Sequence, residues 1–188
     1  MPSRTPGRKL ILAESDFVLP GRLPIGCSRF YSSTLNDAGL LGPGWRLDWE
    51  MSLQRSEGEL VYRGPQGQPI HFPPLEPGHQ LYDAEEQIYL SRAHDGRYIV
   101  HTLTGHYFVF GEFDRTDLAR LTLIEGPQGQ QVFLNWDEYG ALHDIKDQAG
   151  HWLWLHYAGT FARLSHIDCL RAARRACSFA TVTTITAI

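Results

Sequence analysis

The chain is built from short segments in which hydrophobic and polar residues alternate, separated by turn-forming residues. Such segments recur as DFVLPG, CSRFYSS, WRLDWEMSL, GELVYRG, QIYLSRA, RYIVHTL and HYFVFGE, and they continue after residue 119. Each has the length of a β-strand, and no stretch of about 11 residues shows the period of a helix. The pattern predicts an all-β fold of antiparallel hairpins stacked into a curved sheet, and it excludes an α/β layout with crossover helices.

Two dipeptides predict tight reversals between neighbouring strands. Asp95-Gly96 follows SRAH and precedes RYIVHTL. It is typical of a two-residue type I′ turn, because that turn needs positive φ at both central residues and Asp and Gly tolerate it. Thr104-Gly105 predicts a similar reversal between the next two strands.

An internal repeat runs through the last third of the alternating region. Leu121, Leu142 and Leu164 are 21 and 22 residues apart. Other positions keep the same register: Ile124, Ile145 and Ile167; Gly129 and Gly150; Trp136 and Tyr157. One β-hairpin with its two turns occupies about this length, so the spacing predicts one hairpin per repeat.

The turns and the strand faces of the repeat agree with this interpretation. Segments 126–129, 137–140 and 147–150 place Pro second or Asp first and Gly fourth, as type I turns prefer. One face carries Val132, Leu134, Trp136, Leu153, Leu155 and Tyr157, and the other carries Phe133 and Trp154. Because both faces are partly apolar, we expect something else to cover the sheet on at least one side.

The repeated pattern of strands and turn residues ends after Ile167. Residues 168–188 contain no Gly and no turn pair, carry three Arg close together and end in small β-branched residues. This irregular tail is either an unrelated cap or translation in a shifted frame beyond a truncation point. We favour truncation, which predicts further repeats in another reading frame downstream of the Ile167 codon.

Unpaired edge strands also predict self-association.

Composition narrows the classes of function. The 21 acidic and 17 basic residues give a net charge of -4, so we expect neither a nucleic-acid nor a membrane partner. No run of about 18 apolar residues and no signal-peptide core is present, which favours a cytoplasmic location as encoded. Cys27, Cys169 and Cys177 are odd in number and irregular in spacing, which favours reduced thiols over disulfides or a zinc site.

Several segments resemble one bacterial family. Residues 16–33 (DFVLPGRLPIGCSRFYSS), 39–53 (GLLGPGWRLDWEMSL) and 67–92 resemble the module that precedes the repeats of Rhs (rearrangement-hotspot) and YD-repeat proteins. Residues 121–167 resemble the first YD-type repeats, although this chain reads Asn-Trp-Asp and His-Tyr-Ala where the family favours Tyr-Asp. The resemblance divides the chain into an irregular segment 1–15, an N-terminal module 16–118, YD-type hairpin repeats 119–167 and an atypical tail 168–188.

The resemblance implies a strip of a large hollow β-shell that encloses a C-terminal toxin. Such proteins are toxins of bacterial competition, often exported by type VI secretion, so the implied partners are a toxin domain and secretion machinery. The family's delivery domain, most of its repeats, its self-cleaving Asp motif and its toxin are not in this sequence. We therefore expect a structural segment that is not an enzyme.

Candidate chemistry in the sequence is sparse. His101 and His106 straddle the predicted Thr104-Gly105 turn and could form a two-His clasp, but cross-strand packing or solvent exposure is the better account. His151 and His156, also five apart, are expected on opposite faces. Glu85-Glu86 and the pair Asp114 and Asp117 lack the geometry of glycosidase carboxylates. We predict no catalytic residue, no cofactor and no metal ligand, and keep a small hydrolase as the weakest alternative.

A carbohydrate-binding or cell-surface interaction module is the stronger alternative. Trp152, Trp154 and Trp136 are the candidate ligand-stacking aromatics. We expect Trp152 and Trp154 to point in opposite directions, so that at least one is exposed to a glycan.

Overall fold

The computed structural model describes residues 9–35, 38–160 and 162–171. Within these ranges the chain forms 17 β-strands and a single turn of 3-10 helix at Asp48–Glu50, with no α-helix. The strands are β1 (Leu10–Leu19), β2 (Ile25–Ser32), β3 (Ala38–Gly39), β4 (Gly42–Pro43), β5 (Trp45–Leu47), β6 (Ser52–Ser56), β7 (Glu59–Arg63), β8 (Pro69–Phe72), β9 (Gln80–Asp83), β10 (Ile88–Arg92), β11 (Tyr98–Thr102), β12 (Tyr107–Phe110), β13 (Leu118–Glu125), β14 (Gln131–Trp136), β15 (Leu142–Asp147), β16 (His151–Ala158) and β17 (Arg163–Arg171). The predicted all-β, antiparallel fold is confirmed.

Two sheets carry most of the structure. A 3-stranded sheet has the order β1-β2-β5, and a 12-stranded sheet runs in sequence order from β9 to β17 with β6, β7 and β8 attached. Consecutive strands from β9 onward pair as antiparallel neighbours, because each is joined to the next by a short turn. We call β13 to β17 the repeat hairpins.

Strand β13 is the point at which the large sheet forks. One edge of β13 pairs with β12. The other edge pairs with β6 through Leu118–Arg120 and with β14 through Leu123–Glu125. Strands β6 and β12 are therefore both joined to the repeat hairpins through β13.

Five hairpin turns obey one hydrogen-bonding rule. In the turns that begin at residues 93, 102, 114, 126 and 137, the N–H of the fourth residue donates to the carbonyl of the first, and the N–H of the first donates to the carbonyl of the fifth. The fourth residue has positive φ in every case: Gly96, Gly105, Asp117, Gly129 and Gly140. This is a three-residue hairpin loop ending in a left-handed residue, for which Gly is preferred.

The reversal at Asp95-Gly96 is confirmed, but the predicted two-residue type I′ turn is wrong. His94, Asp95 and Gly96 form a three-residue loop, and Gly96 is its left-handed residue with φ of 91°. The Asp95 carboxylate accepts hydrogen bonds from the backbone N–H and side chain of Arg97. Paired positive φ values occur instead at Glu57 (50°) and Gly58 (85°), between β6 and β7.

Equivalent residues of the 21-residue repeat make equivalent contacts. Trp136 Nε1 donates to the Leu121 carbonyl at 2.6 Å, and Tyr157 Oη donates to the Leu142 carbonyl at 2.8 Å. A register shift precedes each of these aromatic residues, between positions 135 and 136 and between 156 and 157. Leu164 lies 22 residues after Leu142 because the connection that follows Tyr157 is one residue longer.

The two sheets share a single apolar core. Ile25, Cys27 and Leu47 from the 3-stranded sheet lie in the same cluster as Leu134 and Leu153 of the repeat hairpins. The expectation that something covers the repeat sheet is therefore confirmed, and the cover is the chain's own 3-stranded sheet. The predicted apolar parity is also confirmed, since Val132, Leu134, Leu153 and Leu155 are buried and Phe133 is exposed.

Strand β1 begins at Leu10, so residues 10–15, expected to be irregular, pair with β2. Strand β17 extends to Arg171, past the last expected repeat position at Ile167, and residues 172–188 of the predicted tail lie outside the described ranges. Among the described residues, no helix has the length and apolar character needed to cross a bilayer.

Candidate functional site

The surface of the repeat hairpins opposite the core carries a pair of aromatic residues, one exposed and one half-buried. We call this surface the outer face. Trp152 and Trp154 lie there on β16, with ring centroids 4.2 Å apart and ring planes inclined at 32°. The prediction that they point in opposite directions is wrong, because residues two apart on a strand lie on the same face. Trp152 is 36% exposed.

A buried carboxylate anchors this pair. Asp144 on β15 accepts hydrogen bonds from Trp152 Nε1 at 3.2 Å and Asn135 Nδ2 at 2.9 Å, and it contacts His143 and Lys146. Burial acts to raise the pKa of Asp144, but the hydrogen bonds from His143, Asn135 and Lys146 hold it below its usual value. Asp144 is thus a stable anion beneath the aromatic pair.

Lys146 completes the outer-face cluster. Its Nζ lies 3.9 Å from the centroid of the Trp152 ring, close enough for a cation–π interaction. The same Nζ is 3.2 Å from Asp144 Oδ1. Trp152 is therefore fixed in place by contacts with Trp154, Asp144 and Lys146.

Trp136, the third aromatic candidate, lies apart from this pair. Its ring is half-buried and packs against the core, and its Nε1 is engaged by the Leu121 carbonyl. The guanidinium of Arg120 lies 5.8 Å from its ring centroid. The structure brings Trp152 and Trp154 together and places Trp136 among the packed residues.

The histidine pairs singled out in the sequence are separated. His101 lies between the rings of Tyr89 and Tyr107, with centroids 4.7 Å and 5.3 Å away, as cross-strand packing predicts. The Nδ1 atom of His106 is hydrogen-bonded to the Thr104 hydroxyl in the turn, at 3.1 Å. Desolvation lowers the pKa of His101.

His151 and His156 lie in different environments, as their odd spacing predicts. The His151 side chain is buried against Asp147, with Nδ1 2.7 Å from Oδ2. That carboxylate also accepts backbone hydrogen bonds in the turn before β16. His156 lies on the outer face, 3.0 Å from Asp168.

The acidic residues considered as catalytic candidates take part in hydrogen bonds within turns. Asp114 Oδ1 accepts backbone hydrogen bonds from Thr116 and Leu118, and its Oδ2 pairs with Arg120 at 2.7 Å. Burial opposes ionisation, but the hydrogen bonds from Thr116 and Arg120 prevail and lower the pKa of Asp114. The backbone N–H groups of Glu85 and Glu86 both donate to Asp83.

A cavity of ≈ 370 Å³ lies between the two sheets, lined chiefly by apolar side chains with Asp48 on its wall. Burial raises the pKa of Asp48 to about 6. The Asp48 carboxylate accepts a hydrogen bond from the Ser28 N–H at 3.3 Å, so it ties the 3-10 helix to β2. Cys27 is a free, buried thiol, and burial raises its pKa.

One group of side chains was missed by the sequence reasoning. His156, His166 and Asp168 come together on the outer face, with their candidate ligand atoms within 4.8 Å of one another. His156 and His166 are directly opposite across β16 and β17. The sequence does show His156 and His166 on either side of one turn. Their pairing across the two strands, however, depends on the length of the connection between β16 and β17 and on the register shift after His156.

Comparisons with known proteins show that this chain is similar to a family model and to proteins named as toxins. Residues 6–72 match a family model described as a domain of unknown function (DUF6531). That range includes the 3-stranded sheet and strands β6 to β8.

Two curated relatives are similar over most of the chain. The "Double-stranded DNA deaminase toxin A" of Burkholderia cenocepacia (strain H111) is 39% identical over 167 residues, which cover 87% of this chain. The "Toxin protein Tse5" of Pseudomonas aeruginosa is 31% identical over 166 residues, which cover 77% of this chain. The chain spans 12% and 13% of the lengths of these two relatives. Its homologues are thus toxin-related proteins several times its size.

Proposed function

We propose that this chain is a structural segment of an Rhs/YD-repeat β-shell, and that the shell encloses a C-terminal toxin used in bacterial competition. In this role the chain supplies no catalytic group. The observation that carries the proposal is the repeated hairpin contact, in which Trp136 and Tyr157 bond to the carbonyls of Leu121 and Leu142. A unit that repeats its contacts every 21 residues is suited to extension by further hairpins.

The 3-stranded sheet supports a starting position in such a shell. A hairpin repeat cannot bury its apolar face alone, and repeat arrays therefore need capping units. Here β1, β2 and β5 supply apolar side chains to the core of the repeat hairpins. Among the described residues, β17 pairs as a strand with β16 alone, and the N–H of Leu164 near its start donates to the Leu40 carbonyl, so a following hairpin would pair with β17 beyond that contact.

The partners that follow from this role are a toxin domain and a secretion apparatus, with type VI secretion as the proposed route. The similarity to two proteins named as toxins supports this context. The shell acts by excluding proteases and solvent from its contents, so the chain needs a continuous hydrogen-bonded wall and a sealed core.

A chimera tests the proposal. The matching segment of the Burkholderia cenocepacia relative is replaced by the aligned residues of this chain, and limited proteolysis follows the survival of the toxin domain. We expect the toxin domain to be as protected as in the parent. The control carries Leu134→Asp, which puts a charge at a position 2% exposed and should abolish protection. A folded chimera whose toxin domain is cleaved as fast as the isolated domain would contradict the proposal.

A second candidate function is carbohydrate binding at Trp152 and Trp154. The observation that favours it is an exposed tryptophan beside the polar groups of Asp144 and Lys146, since glycans are bound by aromatic stacking together with hydrogen bonds. Tryptophan fluorescence during titration with a panel of oligosaccharides tests this function. Saturable quenching that Trp152→Ala removes is the expected result, and unchanged fluorescence across the panel contradicts it.

A further inference from the structure

A group of three potential metal ligands lies on the outer face where β16 meets β17. His156 and His166 are cross-strand partners, and their imidazole rings stack with centroids 4.4 Å apart and planes inclined at 7°. Asp168 lies two residues after His166 on the same face, and its Oδ2 is 3.0 Å from His156 Nε2. We propose that His156, His166 and Asp168 bind a divalent transition-metal ion of the Zn²⁺ type.

The hydrogen bonds of Ser165 select the ligand atom of His166. The Ser165 hydroxyl donates its proton to the His156 carbonyl at 2.9 Å. Its oxygen can then act only as an acceptor towards His166 Nδ1, also at 2.9 Å. This arrangement places the ring proton of His166 on Nδ1 and leaves the Nε2 lone pair available. A hydrogen bond to the non-ligating nitrogen is the usual way in which proteins orient a metal-binding histidine.

The distances allow a site after a modest rearrangement. One potential ligand atom of each residue lies within 4.8 Å of those of the other two, whereas ligands bonded at about 2.1 Å in a tetrahedral site are about 3.4 Å apart. An imidazole lone pair lies in the plane of its ring, so two parallel rings cannot direct their lone pairs at one ion. His156 is exposed, so we expect its side chain to rotate out of the stack when the ion binds.

The chemistry of the three ligands selects the ion. Two imidazole nitrogens and one carboxylate oxygen suit Zn²⁺ and its neighbours, while Ca²⁺ and Mg²⁺ require mostly oxygen ligands. The ion would take the place of the hydrogen bond between His156 Nε2 and Asp168 Oδ2, with the ring proton of His156 carried on Nδ1. It would join β16 to β17 through side chains, and its remaining coordination positions would face solvent.

Isothermal titration of the whole 188-residue chain, without a tag, with ZnCl₂ tests the site. Cys169→Ser and Cys177→Ser are included so that thiolates do not compete for the ion. We expect one Zn²⁺ per chain, at least tenfold weaker binding in His156→Ala and in His166→Ala, and no heat of binding with CaCl₂. The stacked rings must separate, so imidazole NMR signals of both residues should shift together at one equivalent of metal.

His71→Ala is the matched control. His71 Nδ1 lies 3.0 Å from Glu59 Oε2, which is the same exposed imidazole–carboxylate contact without the stacked second histidine. This variant should bind Zn²⁺ like the parent. Tryptophan fluorescence confirms that each variant is folded. Absence of saturable Zn²⁺ binding, equal weakening by His71→Ala, or unchanged affinity in both His156→Ala and His166→Ala would overturn the proposal.

Discussion

At the scale of single residues, the fold depends on one position in each hairpin loop, the last, where the backbone is left-handed and Gly is favoured. Gly129 and Gly140 occupy that position with φ of 77° and 83°. A Cβ added at Gly129 would meet nothing within 4 Å, whereas one at Gly140 would collide with the guanidinium of Arg120. That guanidinium forms the ion pair with Asp114. The two glycines therefore have the same backbone requirement and different surroundings.

We expect Gly140→Ala to destabilise the protein more than Gly129→Ala. Both substitutions force a side chain into the left-handed region, at a cost of about 1–2 kcal/mol. Gly140→Ala also displaces Arg120 from a half-exposed ion pair, which adds about 0.5–1 kcal/mol. Urea denaturation measures both free energies of unfolding.

The background variant Asp114→Asn isolates the ion-pair contribution to that difference. Its Oδ1 can still accept the turn hydrogen bonds, but the charge that pairs with Arg120 is gone. The extra cost of Gly140→Ala should then shrink. Equal costs for the two glycine substitutions in the parent chain would show that Arg120 moves aside freely.

Sequence reasoning at this scale succeeded where a preference is local. The Gly and Asp positions of the turns follow from φ requirements and from side-chain hydrogen bonds to nearby N–H groups. The turn at Asp95 was assigned the wrong type because loop length depends on the register of the flanking strands. The His156 and His166 contact was missed for the same reason, since it needs the register shift after His156.

At the scale of elements, the 3-10 helix and β2 are linked by a carboxyl group that is costly to ionise. Burial raises the pKa of Asp48 from 3.8 to about 6 in the folded chain. The pKa of this carboxyl is higher in the folded chain than in the unfolded chain. At a pH between the two pKa values, the folded chain therefore binds more protons than the unfolded chain. Ionisation of Asp48 therefore reduces the free energy of unfolding as the pH rises from about 4 to 6.

We expect Asp48→Asn to become progressively more stable than the parent chain across this pH range. Asparagine retains an oxygen for the Ser28 N–H and cannot ionise. The gain relative to pH 4 should reach at most about 3 kcal/mol above pH 7, since each pKa unit corresponds to about 1.4 kcal/mol. Chemical denaturation from pH 4 to 8 measures it.

Glu112→Gln is the control because it changes an exposed carboxylate. Comparison of the two variants separates the effect of burying the carboxyl group from the effect of removing one negative charge. A difference between Asp48→Asn and the parent that stays constant from pH 4 to 8 would show that Asp48 titrates normally.

Elements were predicted well where the pattern is periodic. Alternation identified the strands, and the 21-residue register identified equivalent hairpins, which the bonds of Trp136 and Tyr157 support at the atomic level. The forked pairing of β13 was not predicted. It brings β6 and β14 to one edge of the same strand, and nothing in the local pattern of Leu118–Glu125 specifies a partner as distant in sequence as β6.

At the scale of the whole molecule, the fold depends on one core shared by the 3-stranded sheet and the repeat hairpins. The sequence predicted that the repeat sheet needs a cover, because its strands are apolar on both faces. It did not predict that β1, β2 and β5 provide that cover, since inter-sheet packing leaves no periodic signal. Cys27 lies at this junction, fully buried within the shared cluster.

The reactivity of Cys27 tests the shared core most directly. In the chain with Cys169→Ser and Cys177→Ser, Cys27 is the single thiol, and its burial keeps it protonated and unreactive in the folded state. Labelling with a thiol reagent across a denaturant series gives the free energy of the opening that exposes Cys27. Tryptophan fluorescence gives the free energy of global unfolding. We predict that the two free energies agree. Exposure of Cys27 at a lower free energy, before the tryptophan signal changes, would show that the 3-stranded sheet separates from the repeat hairpins and would contradict the account.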